Sequence, residues 1–194
     1  MKYPLSIRFR LFSLTNKLEV IDANGESLLY MKQKLLRLRE SLTVYKDSSE
    51  KERLFTIDAD RIIDFSANYQ FRGADGSDWG SVRRHGMRSL WSAHYEVIED
   101  GQLDMLIQEE KPWKRFLEAI LGDIPVIGFL AIYLICPSYV ISDASGRRLF
   151  RVLKKPSVFE RRFIIEREAE VEPDDEMRAL LSLLMMIVLE RKRG

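Results

Sequence analysis

Basic residues suited to binding phosphate are grouped at three places in this 194-residue chain. A guanidinium can donate two parallel hydrogen bonds to a phosphate, and a lysine ammonium supplies a compact positive charge. The candidate contacts for anionic headgroups are Arg83, Arg84, Arg88, Arg147, Arg148, Lys154, Lys155, Arg161 and Arg162. The alternative interpretation is a solvated polar surface, which charge runs more often form.

The sequence does not indicate a metal site or a disulfide. His85 and His94 are the only histidines, they are nine residues apart, and no cysteine lies near them. Cys136 is the only cysteine and lies in an apolar run. Zinc sites need several such ligands at short spacings, so we expect no metal.

Catalytic motifs are also not indicated. Asp58, Asp60 and Asp64 lie near the end of a predicted strand, where solvated turn acids are commoner than paired catalytic acids. The glycine-rich stretch "RGADGSDWGSVRRHG" (72–86) lacks the Lys-Ser/Thr ending of a phosphate-binding loop, so a hairpin loop is the simpler interpretation. We therefore do not expect an enzyme, and no cofactor is indicated.

Repeated hairpins must position the basic groups. Residues 18–34, "LEVIDANGESLLYMKQK", and 139–155, "YVISDASGRRLFRVLKK", share an alternating run, an Asp-x-x-Gly turn and a second alternating run. Weaker versions occur at 69–84 and 95–110. Glycine serves the turn position that needs a positive φ angle. The predicted turn glycines are Gly25, Gly76, Gly101 and Gly146.

Further strands follow from period-two alternation. In "LSIRFRLF" (5–12) the apolar residues alternate with Ser6, Arg8 and Arg10, which is typical of a strand with one solvated face. The segments 42–45, 54–57 and 159–165 read similarly, so we predict ten to twelve strands in all. The exception is an amphipathic helix predicted at 112–121, where apolar residues recur at helical spacing.

The chain closes with a second helix that is apolar on every side. From Ala179 to Leu189 only Ser182 is polar, and acids precede the run while basic residues follow it, which suits the helix dipole. The apolar part spans about 17 Å, well short of the roughly 30 Å of a bilayer core. A helix of this kind must be buried on all sides, so we expect it inside a closed antiparallel β-barrel.

One other segment has the length of a membrane span. Residues 124–141 carry no charge, but Pro125, Gly128 and Pro137 interrupt them and the end belongs to a predicted hairpin. We therefore favour buried strand or turn structure here, with an interfacial role for the 112–121 helix left open.

Composition fits one globular domain, 1–194, with pseudo-repeat halves of about 1–90 and 91–194. Hydrophobic residues make up 46% and charged residues 31%, and the net charge is +1, so the narrow positive surface argues against nucleic acid. The lone cysteine and the arginines that interrupt any N-terminal apolar run predict a cytoplasmic location.

The repeated hairpins and the apolar C-terminal helix resemble the Tubby C-terminal-like superfamily, which includes LURP-one-related proteins and phospholipid scramblases. The likeness covers "LEVIDANGESLLYMKQK", "LTVYKDSSEKERLFTID", "SLWSAHYEVIEDGQLDMLIQEE" and "YVISDASGRRLFRVLKK"; segment 111–138 is longer than the family plan. The resemblance implies a mainly β fold, a closed barrel of about ten to twelve strands around a buried helix. It also implies contact with phospholipid or phosphoinositide headgroups, although the family's binding residues do not map onto this sequence.

The expected function is a noncatalytic barrel that binds anionic headgroups or a protein partner, peripherally, at the inner membrane surface. Two alternatives remain from the sequence. One is a small-ligand carrier or enzyme with a site at the barrel mouth. The other is a purely structural interaction domain, which an exposed apolar patch would favour.

Overall fold

A computed structural model describes residues 1–10, 16–33, 41–60, 67–84, 94–110, 137–155 and 160–191. In this part of the chain it contains twelve strands and one helix. The strands are β1 (Leu5–Arg10), β2 (Asn16–Ile21), β3 (Ser27–Gln33), β4 (Ser41–Tyr45), β5 (Arg53–Ala59), β6 (Asn68–Gly73), β7 (Asp78–Arg84), β8 (His94–Glu99), β9 (Gln102–Glu109), β10 (Ser138–Asp143), β11 (Arg148–Lys155) and β12 (Glu160–Arg167). The helix is α1 (Pro173–Arg191).

The strands form a closed barrel in which every strand pairs with its neighbours in the chain. All pairs are antiparallel, and β1 closes the barrel against β12 from Leu5↔Ile165 to Arg10↔Glu160. Closure leaves no edge strand exposed. The predicted mainly β fold, a closed antiparallel barrel around a C-terminal helix, is therefore confirmed.

The four predicted hairpins are present as β2–β3, β6–β7, β8–β9 and β10–β11. Their four turn glycines all have positive φ angles, between 77° and 88°. In the two most similar hairpins one aspartate organises the turn. Asp22 Oδ1 accepts hydrogen bonds from the backbone amides of Asn24 at 2.8 Å and Glu26 at 3.0 Å. Asp143 Oδ1 accepts the equivalent bonds from Ser145 and Arg147.

The terminal helix lies inside the barrel. From Ala179 to Val188 no side chain is more than 4% exposed, because inward residues of the strands surround the helix. Burying each large apolar side chain contributes roughly 1.5–3 kcal/mol. The helix and barrel therefore share one core. Among the described residues, no helix combines the length and apolarity needed to cross a membrane.

Two sequence predictions lie wholly or partly outside the described residues. The amphipathic helix at 112–121 is one of them, and the apolar segment 124–141 is described only from residue 137. There Ser138–Asp143 forms β10, as the hairpin pattern indicated.

The barrel has two ends that differ in their connections. At the end we call the turn end, the five tight hairpin turns join the strands and α1 begins at Pro173. At the helix-exit end, α1 ends at Arg191. Of the sequence-predicted cations, Arg147 and Arg148 lie at the turn end, whereas Arg83, Arg84, Lys154 and Lys155 lie at the helix-exit end.

Candidate functional site

Four basic side chains line the outer wall of four adjacent strands near the helix-exit end. Register pairs Lys155 of β11 with Arg162 of β12, and Arg162 with Arg8 of β1. Lys17 follows on β2, next to Leu18, which pairs with Phe9. Each basic residue alternates with buried inward residues, so its side chain faces out. We call Arg8, Lys17, Lys155 and Arg162 the cationic face.

The cationic face is only partly neutralised. No ion pair joins Arg8, Lys17 or Lys155 to another described residue, whereas Arg162 has a partner. Like charges directly opposite on paired strands destabilise a sheet, by an amount comparable to the roughly 0.2–1 kcal/mol that opposite charges contribute. The face therefore presents adjacent cations on three paired strands, with the carboxylate of Glu19 directly opposite Arg8.

Three other predicted cations are ion-paired on the outer surface. Arg83 Nε donates to Glu96 at 2.6 Å, and Arg147 Nε to Asp143 at 3.1 Å. Arg148 lies 2.9 Å from Glu110. Each of the three has a carboxylate partner, and they lie at the turn end or on β7, away from the cationic face.

Glu110, the carboxylate partner of Arg148, has a strongly lowered pKa. Burial would raise its pKa, but hydrogen bonds from Arg148, Ser138 and Arg151 outweigh burial and lower the pKa to about 2. Arg151 donates to Glu110 at 3.0 Å, and the Ser138 hydroxyl also donates to Glu110, at 2.9 Å. This network fixes the outer faces of β10 and β11 rather than offering charge to a ligand.

Arg84 points into the barrel and is only 9% exposed. Its guanidinium lies 3.8 Å from Glu190 of α1 and 6.0 Å from the ring centroid of Tyr95. The Tyr95 hydroxyl donates to Glu190 at 2.7 Å. Burial and the neighbouring Glu190 raise the pKa of Tyr95 well above its ordinary value. Arg84 therefore ties the C-terminal end of α1 to the barrel.

The remaining predicted cations are not part of the described face. Lys154 shares the inward side of β11 with Val152, is partly buried and has a partner. Arg161 lies in β12, but its side chain is outside the described part, and Arg88 is wholly outside it.

Side chains considered for other chemistry have structural contacts. Asp60 Oδ1 accepts a hydrogen bond from the Asn68 amide at 3.0 Å, and His94 lies 3.2 Å from Gln108. The Trp79 ring meets Phe55 edge-on with centroids 5.1 Å apart. These contacts give each of the three side chains a structural role. Asp64, His85 and Cys136 lie outside the described residues.

Three carboxylates at the turn end lie close enough to hold a cation. Oxygens of Glu99, Asp104 and Asp175 are within 4.8 Å of one another. Arg178 of α1 lies among them, donating to Asp104 at 2.6 Å, to Asp175 at 2.8 Å and also to Glu99. A fourth bond reaches the Trp79 carbonyl at 3.2 Å. The cluster is thus filled by the protein's own cation.

Burial and the contacts between opposite charges shift the pKa values in this Arg178 cluster in opposite directions. Burial raises the pKa of Asp104 and of Glu99 above their ordinary values, although Arg178 counteracts it. Burial opposes the charge of Arg178 itself, but the bonds to Asp104 and Asp175 outweigh burial and raise the arginine pKa. The cluster anchors the start of α1 to β7, β8 and β9.

Two cavities open on the described surface. One, of about 520 Å³, lies at the turn-end mouth beside the start of α1, and both acids, including Glu170 and Glu172, and the arginines Arg147 and Arg167 line it. The other, of about 290 Å³, is a groove on the outer wall of β1–β3. The groove includes Arg8 and Lys17 and so adjoins the cationic face.

Sequence reasoning missed Arg8 and Lys17 as candidate ligands. Alternation in "LSIRFRLF" placed Arg8 on the solvated side, but nothing local shows that β1 pairs with β12, about 150 residues away. The inward position of Arg84 was available from the sequence, because Arg84 shares the period-two side of the buried Val82.

Comparison with protein-family models, with curated proteins and with solved structures found no match.

Proposed function

We propose that this protein is a noncatalytic barrel that binds anionic phospholipid headgroups at the cytoplasmic membrane surface through the cationic face. The observation that carries the proposal is the run of Lys155, Arg162 and Arg8 in directly paired positions on three strands. An anionic surface would attract all three side chains, and each basic residue near such a surface contributes about 1 kcal/mol.

The opposite polarity of the two ends supports the same orientation. The chain enters α1 through an acidic stretch: Glu168, Glu170, Glu172, Asp174, Asp175 and Glu176. An anionic membrane repels that end and attracts the cationic face. The barrel is therefore proposed to bind with its turn end away from the lipid.

Two segments that follow strands ending at the helix-exit end have a composition consistent with this orientation. Residues 34–40, "KLLRLRE", and 85–93, "HGMRSLWSA", combine apolar and basic residues, a composition common at membrane interfaces. Both lie outside the described residues, so the support is one of composition alone.

We further propose membership of the Tubby C-terminal-like superfamily. Support comes from the closed twelve-strand barrel with a buried C-terminal helix among the described residues, together with the hairpin motifs. Fold alone does not determine function, so the lipid proposal rests on the cationic face rather than on this membership.

Vesicle sedimentation tests the proposal. The double variant Arg8→Gln/Lys155→Gln removes two cations that have no ion-pair partner among the described residues, and we expect it to bind phosphatidylglycerol vesicles at least tenfold more weakly at low salt. The matched control, Arg147→Gln/Arg148→Gln, also removes two charges but from ion-paired residues at the turn end, so it should bind almost normally.

The proposal fails if the native protein does not bind anionic vesicles at low salt, or binds neutral phosphatidylcholine vesicles equally well. Equal losses for the two double variants would also contradict it, because net charge rather than the cationic face would then govern binding. Circular dichroism and thermal unfolding establish that each variant is folded.

A second candidate function is small-ligand binding at the turn-end mouth, which the cavity of about 520 Å³ favours. The helix fills the barrel below this mouth, so any ligand would be confined to the rim. Thermal-shift screening of small cationic ligands, with Glu170→Gln/Glu172→Gln as the control, tests it. A purely structural interaction domain has less support, since Met1 and Leu103 are the only large apolar residues exposed in the described part.

A further inference from the structure

The outer-wall groove beside the cationic face is lined by charges of both signs. It has a volume of about 290 Å³. The polar side chains that line it are Arg8, Lys17, Glu19, Tyr30, Ser48 and Glu50. A small molecule in the groove would meet cations, a carboxylate and hydroxyls on three adjacent strands and one turn.

Glu19 is the carboxylate available to a ligand. It is directly opposite Arg8 on one side and Tyr30 on the other. Directly opposite side chains have Cβ atoms about 4.5–5.5 Å apart, yet no hydrogen bond or ion pair joins Glu19 to another described residue. Neither Glu19 nor Arg8 therefore has an ion-pair partner among the described residues, and both are accessible at the groove.

The second carboxylate, Glu50, is already neutralised. Lys32 Nζ donates to both oxygens of Glu50 at 2.9 Å. This pair holds the turn between β4 and β5 over the outer face of β3, so that Ser48 and Glu50 form one wall of the groove. The charged residues of the groove that have no ion pair to another described residue are the cations Arg8 and Lys17 and the anion Glu19.

We propose that this groove binds a phosphate–ammonium zwitterion of the aminoalkyl phosphate class, such as the phosphoethanolamine headgroup of a phospholipid. Arg8 and Lys17 bind the phosphate oxygens, and Glu19 accepts a hydrogen bond from the ammonium. Tyr30 and Ser48 supply hydroxyl groups within the same walls. The lipid form of this inference rests on the proposed function, because Arg8 also belongs to the cationic face.

The test measures the binding of O-phosphoethanolamine and of ethyl phosphate, which lacks the ammonium, by NMR titration of the full chain. We expect the native protein to prefer O-phosphoethanolamine by about tenfold, the value of one additional charge-assisted hydrogen bond. Glu19→Gln should abolish this preference while retaining ethyl phosphate binding. Arg8→Gln should weaken the binding of both compounds.

Glu26→Gln is the matched control, because Glu26 is an exposed carboxylate at the far end of the same hairpin. It should leave the preference intact. Equal affinity for the two compounds, no binding of either, or an unchanged preference in Glu19→Gln would each overturn the inference. Thermal unfolding of every variant shows whether a loss reflects misfolding, and Glu19→Gln is isosteric.

Vesicles distinguish the two sources of the zwitterion. At one fixed fraction of phosphatidylglycerol, stronger binding when phosphatidylethanolamine replaces phosphatidylcholine assigns the groove to a lipid headgroup. No difference between these vesicles, with discrimination between the soluble compounds retained, assigns it to a free aminoalkyl phosphate. Failure of the proposed function appears separately, as a loss of all binding to anionic vesicles.

Discussion

Ion pairing separates Arg8, Lys17 and Lys155 of the cationic face from the ion-paired surface arginines, although Arg162 of the same face also has a partner. Arg83, Arg147 and Arg148 look equivalent to Lys155 in the sequence, but each has a carboxylate partner. The sequence therefore identified the basic groups but could not show which of them have carboxylate partners, because those partners come mostly from other strands.

Gly80 occupies a backbone position that we expect no other residue to fill without strain. It lies in a β-bulge between β6 and β7 with a φ of 86°, and an added Cβ would lie 2.3 Å from the carbonyl oxygen of Ile98. We expect Gly80→Ala to lower the free energy of unfolding by roughly 1–3 kcal/mol more than Gly76→Ala. Gly76 has nearly the same φ, 88°, but open space around it, so Gly76→Ala should cost about 1–2 kcal/mol.

Urea denaturation of the two glycine variants measures the difference. Equal destabilisation would show that the left-handed φ, rather than the contact with Ile98, explains the whole effect. It would then contradict the close approach of β7 and β8 at this bulge.

Glu110 predicts a pH dependence of stability. Its pKa is about 2 in the folded protein, below the ordinary value of 4.5. Its contribution is therefore fully present above about pH 4.5 and lost as the pH falls toward 2. Arg148 and Arg151 are 49% and 36% exposed, so we expect Glu110→Gln to cost near the low end of the roughly 1.5–3 kcal/mol for charged hydrogen bonds.

The measurement for Glu110 is the free energy of unfolding of the native protein and of Glu110→Gln between pH 7 and pH 2. The difference between them should shrink as the pH falls below about 4.5. The control Glu26→Gln, at an exposed carboxylate in the β2–β3 turn, should change the free energy of unfolding only slightly at pH 7. A Glu110 difference that grows with acidification would contradict the assigned network.

At the scale of elements, the strands and the terminal helix were largely predictable, whereas their mutual anchoring was not. Period-two alternation identified the hairpins, and an apolar run too short for a bilayer identified a buried helix. The Arg178 cluster joins α1 to three strands more than 70 residues earlier. Local sequence patterns do not predict contacts between residues so far apart in the chain. The predicted helix at 112–121 stays a prediction, since it lies outside the described residues.

Substitution of Arg178 tests whether its ion pairs hold the start of α1 in place. Arg178→Met would leave Glu99, Asp104 and Asp175 facing one another without their cation. Removing one partner of a buried ion pair costs roughly 3–5 kcal/mol, and the partial exposure of Glu99 and Asp175 places our expectation near 3 kcal/mol. Adding Asp104→Asn should restore about 1 kcal/mol by removing one repelling charge.

Denaturation of the single and double variants forms a thermodynamic cycle for this anchor. Arg178→Met should also gain stability on mild acidification, because protonating Asp104 and Glu99 removes their repulsion. A loss below about 1 kcal/mol, or additive effects in the cycle, would show that apolar packing alone holds α1.

At the scale of the whole molecule, barrel closure creates the proposed site. Pairing of β1 with β12 brings Arg8 beside Arg162, and the same closure surrounds α1 with inward side chains. The sequence indicated a closed barrel because the helix needed shelter on every side. It could not indicate which strands meet at closure, and so it could not assemble the cationic face. The proposed pseudo-repeat halves, about 1–90 and 91–194, stay a prediction.

The most direct test of the central claim is paramagnetic relaxation enhancement on bicelles whose anionic surface carries a headgroup-attached gadolinium chelate. The account predicts strong broadening of amide signals around Arg8, Arg162 and Lys155 and little at the turns 22–26 and 144–147. Broadening greatest at those turns, or uniform over the barrel, would contradict the account, because the cationic face would then not be the surface that meets the membrane.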